Sequence, residues 1–382
     1  MIWLLAGALV PSLFTAWAAL FWIRRHAARF GLLDRPGGHK AHVQSTPAGG
    51  GLAIWLGVVA PLAAGSVALL LLLAGDDTAS TLPAIVATHL DGLRDQLGNL
   101  WLLVAGGTVL MVLGLVDDRR GLDWQLRLAV QGLVAAALVA GGWRLSLFID
   151  IPLVTAGLSV LWIVLLINAF NMLDNMDGLS GGVAAISAAI LAAVLLLTPD
   201  PATSGPQLFV AGFLLVLVGS LLGFLWHNRP PARIFMGDAG AYFVGYWVAL
   251  GTLMATFAGE PLPRHAILAP LCVLAVPLYD FTSVVVIRLR RGRSPFAGDT
   301  NHFSHRLVEL GLSRPQAVLT IYLVTATCGL GALLLYQVDG VGAVIILLLV
   351  ACVLTLIGIL ETTARHKMRR EQDVEPPAEK IA

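Results

Sequence analysis

Residues 151–198 read IPLVTAGLSVLWIVLLINAFNMLDNMDGLSGGVAAISAAILAAVLLLT. The two apolar runs in it, 151–170 and 179–198, each match the ~20 residues that carry an α-helix across a hydrocarbon core. Between them lie Asn171, Asp174, Asn175 and Asp177, with no conventional polar linker. Polar groups so close to two spans are costly in lipid, so they must face a cavity, another helix or a cation. This stretch predicts a helical membrane protein and also marks where its chemistry should be sought.

Similar runs recur outward in both directions, at about 2–23, 50–74, 99–116, 125–142, 207–226, 239–258, 266–288, 317–336 and 342–360, making eleven in all. The fold class expected is an all-α polytopic membrane protein. Of 382 residues 58% are apolar and 12% charged, and the mean hydropathy is +0.84. A soluble domain carries about twice that charge, which excludes a water-soluble globule. The net charge is only +1 and no basic tail points to nucleic acid. Cys272, Cys328 and Cys352 lie in apolar runs without CxxC spacing and read as small hydrophobes. Ala16-Trp17-Ala18 resembles a signal cleavage site. The first run, however, lacks a basic leader and is followed by Arg24 and Arg25, which suits a retained span.

If residues 24–49 face the cytoplasm, only Arg94, Arg144 and Arg264 of the 24 basic residues fall on the opposite face, leaving 21 inside. That split follows the positive-inside rule and puts the N-terminus outside and the C-terminus in the cytoplasm. Residues 1–360 read as one membrane domain. Residues 361–382, charged and containing Pro376-Pro377, read as a solvated, disordered tail.

On this topology Asp117, Asp118, Asp174, Asp177, Asp238 and Asp280 all lie at cytoplasmic helix ends. Acids of the other face, such as Asp95 and Asp339, sit in loops and read as solvated charge. Asp117-Asp118, followed by Arg119-Arg120, either share a cation or proton in one cavity or form a self-paired charge cluster. Asn168, Asn171, Asp174 and Asp177 are three apart, so in helical geometry they form one ridge. That ridge suits a hard cation with oxygen ligands or an interhelical hydrogen-bond network. In NRPPARIFMGDAG, residues 228–240, Gly237 and Gly240 flank Asp238, so backbone can approach a ligand closely. His302, His305 and Arg306 follow an arginine-rich run from Arg288 to Arg293 and suit phosphate binding or proton movement. Anionic-lipid contact is the plainer reading of the arginines. Lys40 and His42 lie in a Pro/Gly-rich loop able to present a cation to phosphate.

DRPxxxKxH…TPxxGG, LVDD, NAFNMLDNMDGL, NRPPARIFMGDAG and the His/Arg loop occur in that order. Together they resemble the polyprenyl-phosphate N-acetylhexosamine-1-phosphate transferase superfamily, glycosyltransferase family 4 with its MraY and WecA enzymes. The wording of NAFNMLD, FMGDAG and SPFxxDxxHxxH is similar to the WecA-like branch. The resemblance covers nearly the whole chain. It implies transfer of a sugar-1-phosphate, GlcNAc-1-phosphate first, from a UDP-sugar to polyprenyl (undecaprenyl) phosphate at the cytoplasmic face of a bacterial inner membrane, with UMP released. It implies Mg²⁺, with Mn²⁺ an alternative, held by Asp238 with Asn171. Asp117 and Asp118 would stand near the acceptor phosphate, with Asp174 between the metal and the uridine end. Asp177 and Asn228 would face the uridine, and Lys40, His302, His305 and Arg306 would hold diphosphate oxygens. Dimers occur in the superfamily; nothing in the apolar runs shows a homodimer.

Three positions depart from the superfamily's pattern: Asn175 for a usual Gly, Ser304 within the histidine cluster, and Ala241 for a common Ser. These read as altered donor preference. Two other readings remain: a phospho-MurNAc-pentapeptide transferase, and a proton- or cation-coupled transporter. The transporter would place charges near span midpoints.

Overall fold

In hydrocarbon each backbone N–H and C=O must find its partner within its own segment, so apolar runs can cross only as helices. A computed structural model describes residues 2–29, 31–34, 46–74, 90–145, 149, 151–199, 205–255, 257, 262–296 and 298–374. Among them the helices are α1 (Ile2–His26), α2 (Gly50–Ala74), α3 (Leu90–Arg120), α4 (Trp124–Ala140), α5 (Pro152–Leu173), α6 (Leu179–Leu197) and α7 (Leu208–Asn228). There follow α8 (Gly237–Met254), α9 (Ala269–Val273), α10 (Ala275–Arg290), α11 (Phe303–Glu309), α12 (Arg314–Leu334) and α13 (Gly340–Val374). One two-stranded antiparallel pair, β1 (Leu33–Asp34) with β2 (Thr46–Pro47), closes the base of the first loop.

Eight of these helices are long and apolar enough to span a membrane: α1, α2, α3, α5, α6, α7, α12 and α13. The protein is a multi-pass helical membrane protein. The remaining three of the eleven apolar runs take other forms. Residues 124–140 make a helix of 17 residues, and residues 264–290 make a pair bent by 67°. The third, α8, is diluted by four glycines and Asp238, and it lies at the centre, with every residue from Ala239 to Leu253 buried. It packs against α2, α3, α5, α6 and α7, so its polar residues never meet lipid.

Small residues let these backbones touch. A side chain on Gly51 would collide with the backbone of Gly240. The segment around it is tied to the two residues just before α8 by hydrogen bonds from Gly50 N to Phe235 O and from Gly51 N to Met236 O, each 2.9 Å. Gly240 is therefore a packing contact between α2 and α8, not an approach to ligand.

The expected disordered tail begins differently. Helix α13 continues from the last apolar run to Val374, since residues 361–374 contain neither Gly nor Pro. Glu361 is only 5% exposed. Residues 375–382 lie outside the described residues.

Candidate active site

The polar series after α5 does not form one ridge. Gly178, at φ +77°, favours a turn that L side chains avoid, and the helix stops at Leu173. Only Asn168 and Asn171 remain helical. Asn168 donates to Gln131 Oε1 on α4 at 2.7 Å, which is interhelical bonding within the bundle. Asn171 Nδ2 donates to Asp238 Oδ1 at 2.5 Å. Asp174 and Asp177 lie in the turn beyond, where Asp177 Oδ2 accepts from Ala232 N at 2.9 Å.

Asp117 and Asp118 diverge from the last turn of α3. Asp117 Oδ2 accepts from Arg127 Nη1 at 2.9 Å and from the Tyr242 hydroxyl at 2.8 Å, and its Oδ1 accepts from Leu122 N at 2.7 Å. Asp118 instead reaches the start of α8, accepting from Asp238 N at 2.9 Å and Ala239 N at 3.2 Å. Gly237 makes room for it: at φ +71°, an added Cβ would sit 2.6 Å from Asp118 Oδ2. Asp174 takes the Gly237 backbone N–H. The first amides of α8 are thus shared among carboxylates from α3 and from the end of α5, with Asp238 in the same turn. The positive end of the helix dipole favours that gathering.

The carboxylates still repel one another. Burial pushes the Asp174 carboxyl up to about 7, and the charges of Asp118 and Asp177 push the same way. Among the described residues Arg127 pairs with this cluster, through Asp117. Among the described residues no three His, Cys, Asp or Glu side chains form a ready metal cage. A hard cation that keeps waters and substrate phosphates needs only one or two carboxylates from the protein. The oxygen donors and their mutual repulsion fit such an ion.

Asn228 holds the neighbouring turn together. Its Oδ1 accepts from Gly178 N and its Nδ2 donates to Ile234 O, both at 2.8 Å, and it is buried. Both ends of its amide are engaged by backbone, which makes it a brace for the Asp177 turn.

The histidine loop is organised from below by Asp280, a fully buried residue of α10. Its Oδ1 accepts from Phe303 N at 2.6 Å, and its Oδ2 lies 3.0 Å from His302 Nδ1. His305 stands beside it, with ring centroids 6.2 Å apart. Arg306 is turned inward. Its Nη1 donates to Asn301 O at 3.1 Å, its Nη2 to Ser283 Oγ at 2.9 Å, and its Nε lies 3.0 Å from Glu361 Oε2 on α13. At 3% exposure, this guanidinium is spent on fastening α11 to α10 and α13, a correction to the expectation that it grips diphosphate. Lys40 and His42 lie outside the described residues. The Thr46–Pro47 end of their loop is pinned next to the site, where Phe235 N donates to Pro47 O at 2.8 Å.

Sequence reasoning grouped Asp280 with the other helix-end acids but gave it no partner, and it missed Tyr242 and Glu361. A tyrosine one helical turn after Asp238 was the available signal for the first. For Glu361 the only signal was an acid directly after an apolar run.

The family model described as glycosyl transferase family 4 matches residues 100–256. A Bacillus subtilis (strain 168) protein named probable undecaprenyl-phosphate N-acetylglucosaminyl 1-phosphate transferase is 31% identical, over 86% of this chain and 84% of its own. A Mycolicibacterium smegmatis protein named decaprenyl-phosphate N-acetylglucosaminephosphotransferase is 37% identical, over 89% and 84%. An Escherichia coli (strain K12) protein named undecaprenyl-phosphate alpha-N-acetylglucosaminyl 1-phosphate transferase is 28% identical, over 80% and 77%. The matched segment runs from α3 through α8 and so takes in the whole carboxylate cluster; the chain belongs to glycosyl transferase family 4.

Proposed function

We propose that the protein transfers GlcNAc-1-phosphate from UDP-GlcNAc to a polyprenyl phosphate such as undecaprenyl phosphate, releasing UMP and starting a cell-envelope polysaccharide. The observation that carries this reading is the gathering of Asp118, Asp174 and Asn171 around Asp238 at the start of α8. The names of the relatives point to the same pair of substrates.

Two phosphate groups must approach each other, and their repulsion is the main obstacle. Asp238 and Asn171 would hold Mg²⁺, which supplies charge neutralisation on the diphosphate. Asp117, oriented by Arg127 and Tyr242, and Asp118 stand beside Asp238, and one of them takes the proton of the acceptor phosphate. Asp174, whose carboxyl is pushed up by burial and by the charges of Asp118 and Asp177, stands between the metal and the uridine end. Asp177, Lys40, His302 and His305 position the donor. The acceptor oxygen then attacks the sugar-linked phosphorus, and the bond to UMP breaks.

In this reading all eleven apolar runs cross or enter the inner membrane, with the N-terminus outside and the site at the cytoplasmic face. The 21-to-3 division of basic residues supports that orientation. The test is UMP release by purified protein in detergent with undecaprenyl phosphate, Mg²⁺ and a panel of UDP-sugars including UDP-GlcNAc and UDP-MurNAc-pentapeptide. UMP that requires lipid, metal and UDP-GlcNAc is expected. Turnover of the pentapeptide donor alone would move the protein to the other branch. No release with any donor would remove the reading.

A further inference from the structure

Two of the three positions that depart from the superfamily's pattern touch each other, and the bonds between them have a fixed direction. Asn175 Nδ2 donates to the Met172 carbonyl at 2.9 Å. A carbonyl only accepts, so this bond identifies the amide nitrogen and leaves Oδ1 as its other end. Ser304 Oγ lies 2.5 Å from that Oδ1. An amide oxygen also only accepts, so the single proton of the hydroxyl goes to Asn175. Toward His305 Nδ1, 3.4 Å away, the same hydroxyl can then act only as acceptor. The contact is a hydrogen bond only when Nδ1 carries the hydrogen, and in a neutral imidazole that leaves Nε2 with the lone pair.

The surroundings favour that neutral form. Ser304 is fully buried, so water does not compete for its hydroxyl. Burial holds the His305 imidazole below the usual histidine range, and the charges of His302 and Arg314 add to this, opposed by Asp280 and Glu309. His302 is arranged differently, with its Nδ1 on the Asp280 carboxylate.

We propose that Asn175 and Ser304 are positioning residues that hold His305 as its Nδ1–H tautomer, so that Nε2 receives a hydrogen from the substrate instead of donating one. This rests on the transferase reading above and alters one part of it. A fully ionised diphosphate oxygen offers nothing to a lone pair. The group that meets Nε2 must bring its own hydrogen: a hydroxyl or acetamido N–H of the sugar, or a singly protonated lipid phosphate. The pair also ties the Asp174–Asp177 turn to the histidine loop.

The experiment is ¹⁵N NMR of histidine-labelled full-length protein in detergent, with the His305 signals identified by their loss in His305→Gln, run beside steady-state kinetics. The Nδ1–H pattern is expected for His305 in the wild type, with the Nε2–H pattern gaining in Ser304→Ala and Asn175→Ala. Each substitution should lower kcat/KM for one substrate about tenfold, the equivalent of one hydrogen bond. The double variant should be no worse than either single one, and Ser304→Thr, which keeps the hydroxyl, should recover most of the loss. The substrate whose kcat/KM falls, UDP-sugar or lipid phosphate, identifies the source of the hydrogen. An Nε2–H pattern in the wild type, an unchanged pattern in the variants, or two losses that multiply would each overturn the proposal. If Ser304→Ala does not fold, Asn175→Ala in the half-exposed turn carries the same comparison. The tautomer is read without turnover, so failure of the transferase reading would show separately, as no UMP release by the wild type.

Discussion

Two charged regions of the molecule solve opposite problems. Around the start of α8, Asp117, Asp118, Asp174 and Asp238 crowd together and raise the local cost of negative charge. In the loop from Arg288 to Arg306 three of the charges have a buried counterpart. Arg288 pairs with Asp299 at 3.1 Å, His302 with Asp280 at 3.0 Å and Arg306 with Glu361 at 3.0 Å. The Asp299 carboxyl is crowded by burial, yet hydrogen bonds from Arg288 and Asn301 hold it down to about 2. In the proposed reaction the first region takes a cation and a substrate from outside, and the second is a finished scaffold that presents imidazole nitrogens. A dense run of basic residues therefore does not by itself identify a phosphate clamp.

Removing the cation should break the first region completely. Chelation is expected to bring UMP release to background, at least 100-fold down by the scale of charge stabilisation that metals supply, and added Mg²⁺ should restore it. Full activity in chelator would mean the carboxylates tolerate one another without help.

The second region should fail as structure before it fails as chemistry. Arg306→Ala removes the guanidinium paired with the buried Glu361, at a cost of about 3–5 kcal/mol, visible as a large drop in Tm in detergent. A double Arg306→Met, Glu361→Met variant should recover much of that stability. A normal Tm with a raised KM for donor in Arg306→Ala would instead return this arginine to the substrate.

A smaller effect is expected from Tyr242→Phe, which removes one of the three hydrogen bonds to Asp117. The loss should be about 0.5–1.5 kcal/mol, with kcat reduced severalfold and KM for both substrates unchanged. The smallest belongs to the turn before α13: Asp339→Ala, whose carboxylate accepts from Gly342 N in an exposed turn, should leave turnover unaltered.

Most of the fold was legible because a spanning helix satisfies its own backbone, so local hydropathy decides it. Each of the eleven apolar runs corresponds to a helix or to the bent pair. The meeting of Asp118 with Asp238 was legible only as a shared membrane face, since 120 residues separate them. The fate of Arg306 was hidden because its partner lies 55 positions away on α13 and reads locally as the first charge of a tail. Asn168 looked like part of a metal-binding ridge because three-residue spacing assumes a helix that Gly178 and its turn cut short. Asn175 and Ser304 stood out singly as departures, but their contact belongs to tertiary structure.

The most direct test of the central claim compares Asp238→Asn with Asp95→Asn in the Mg²⁺-dependent release of UMP from UDP-GlcNAc. Asp238 belongs to the carboxylate cluster, and Asp95 is an exposed acid near the other end of α3. Loss of turnover in the first with wild-type turnover in the second is the predicted result. Comparable activity in the two variants would contradict both the site and the membrane face assigned to it.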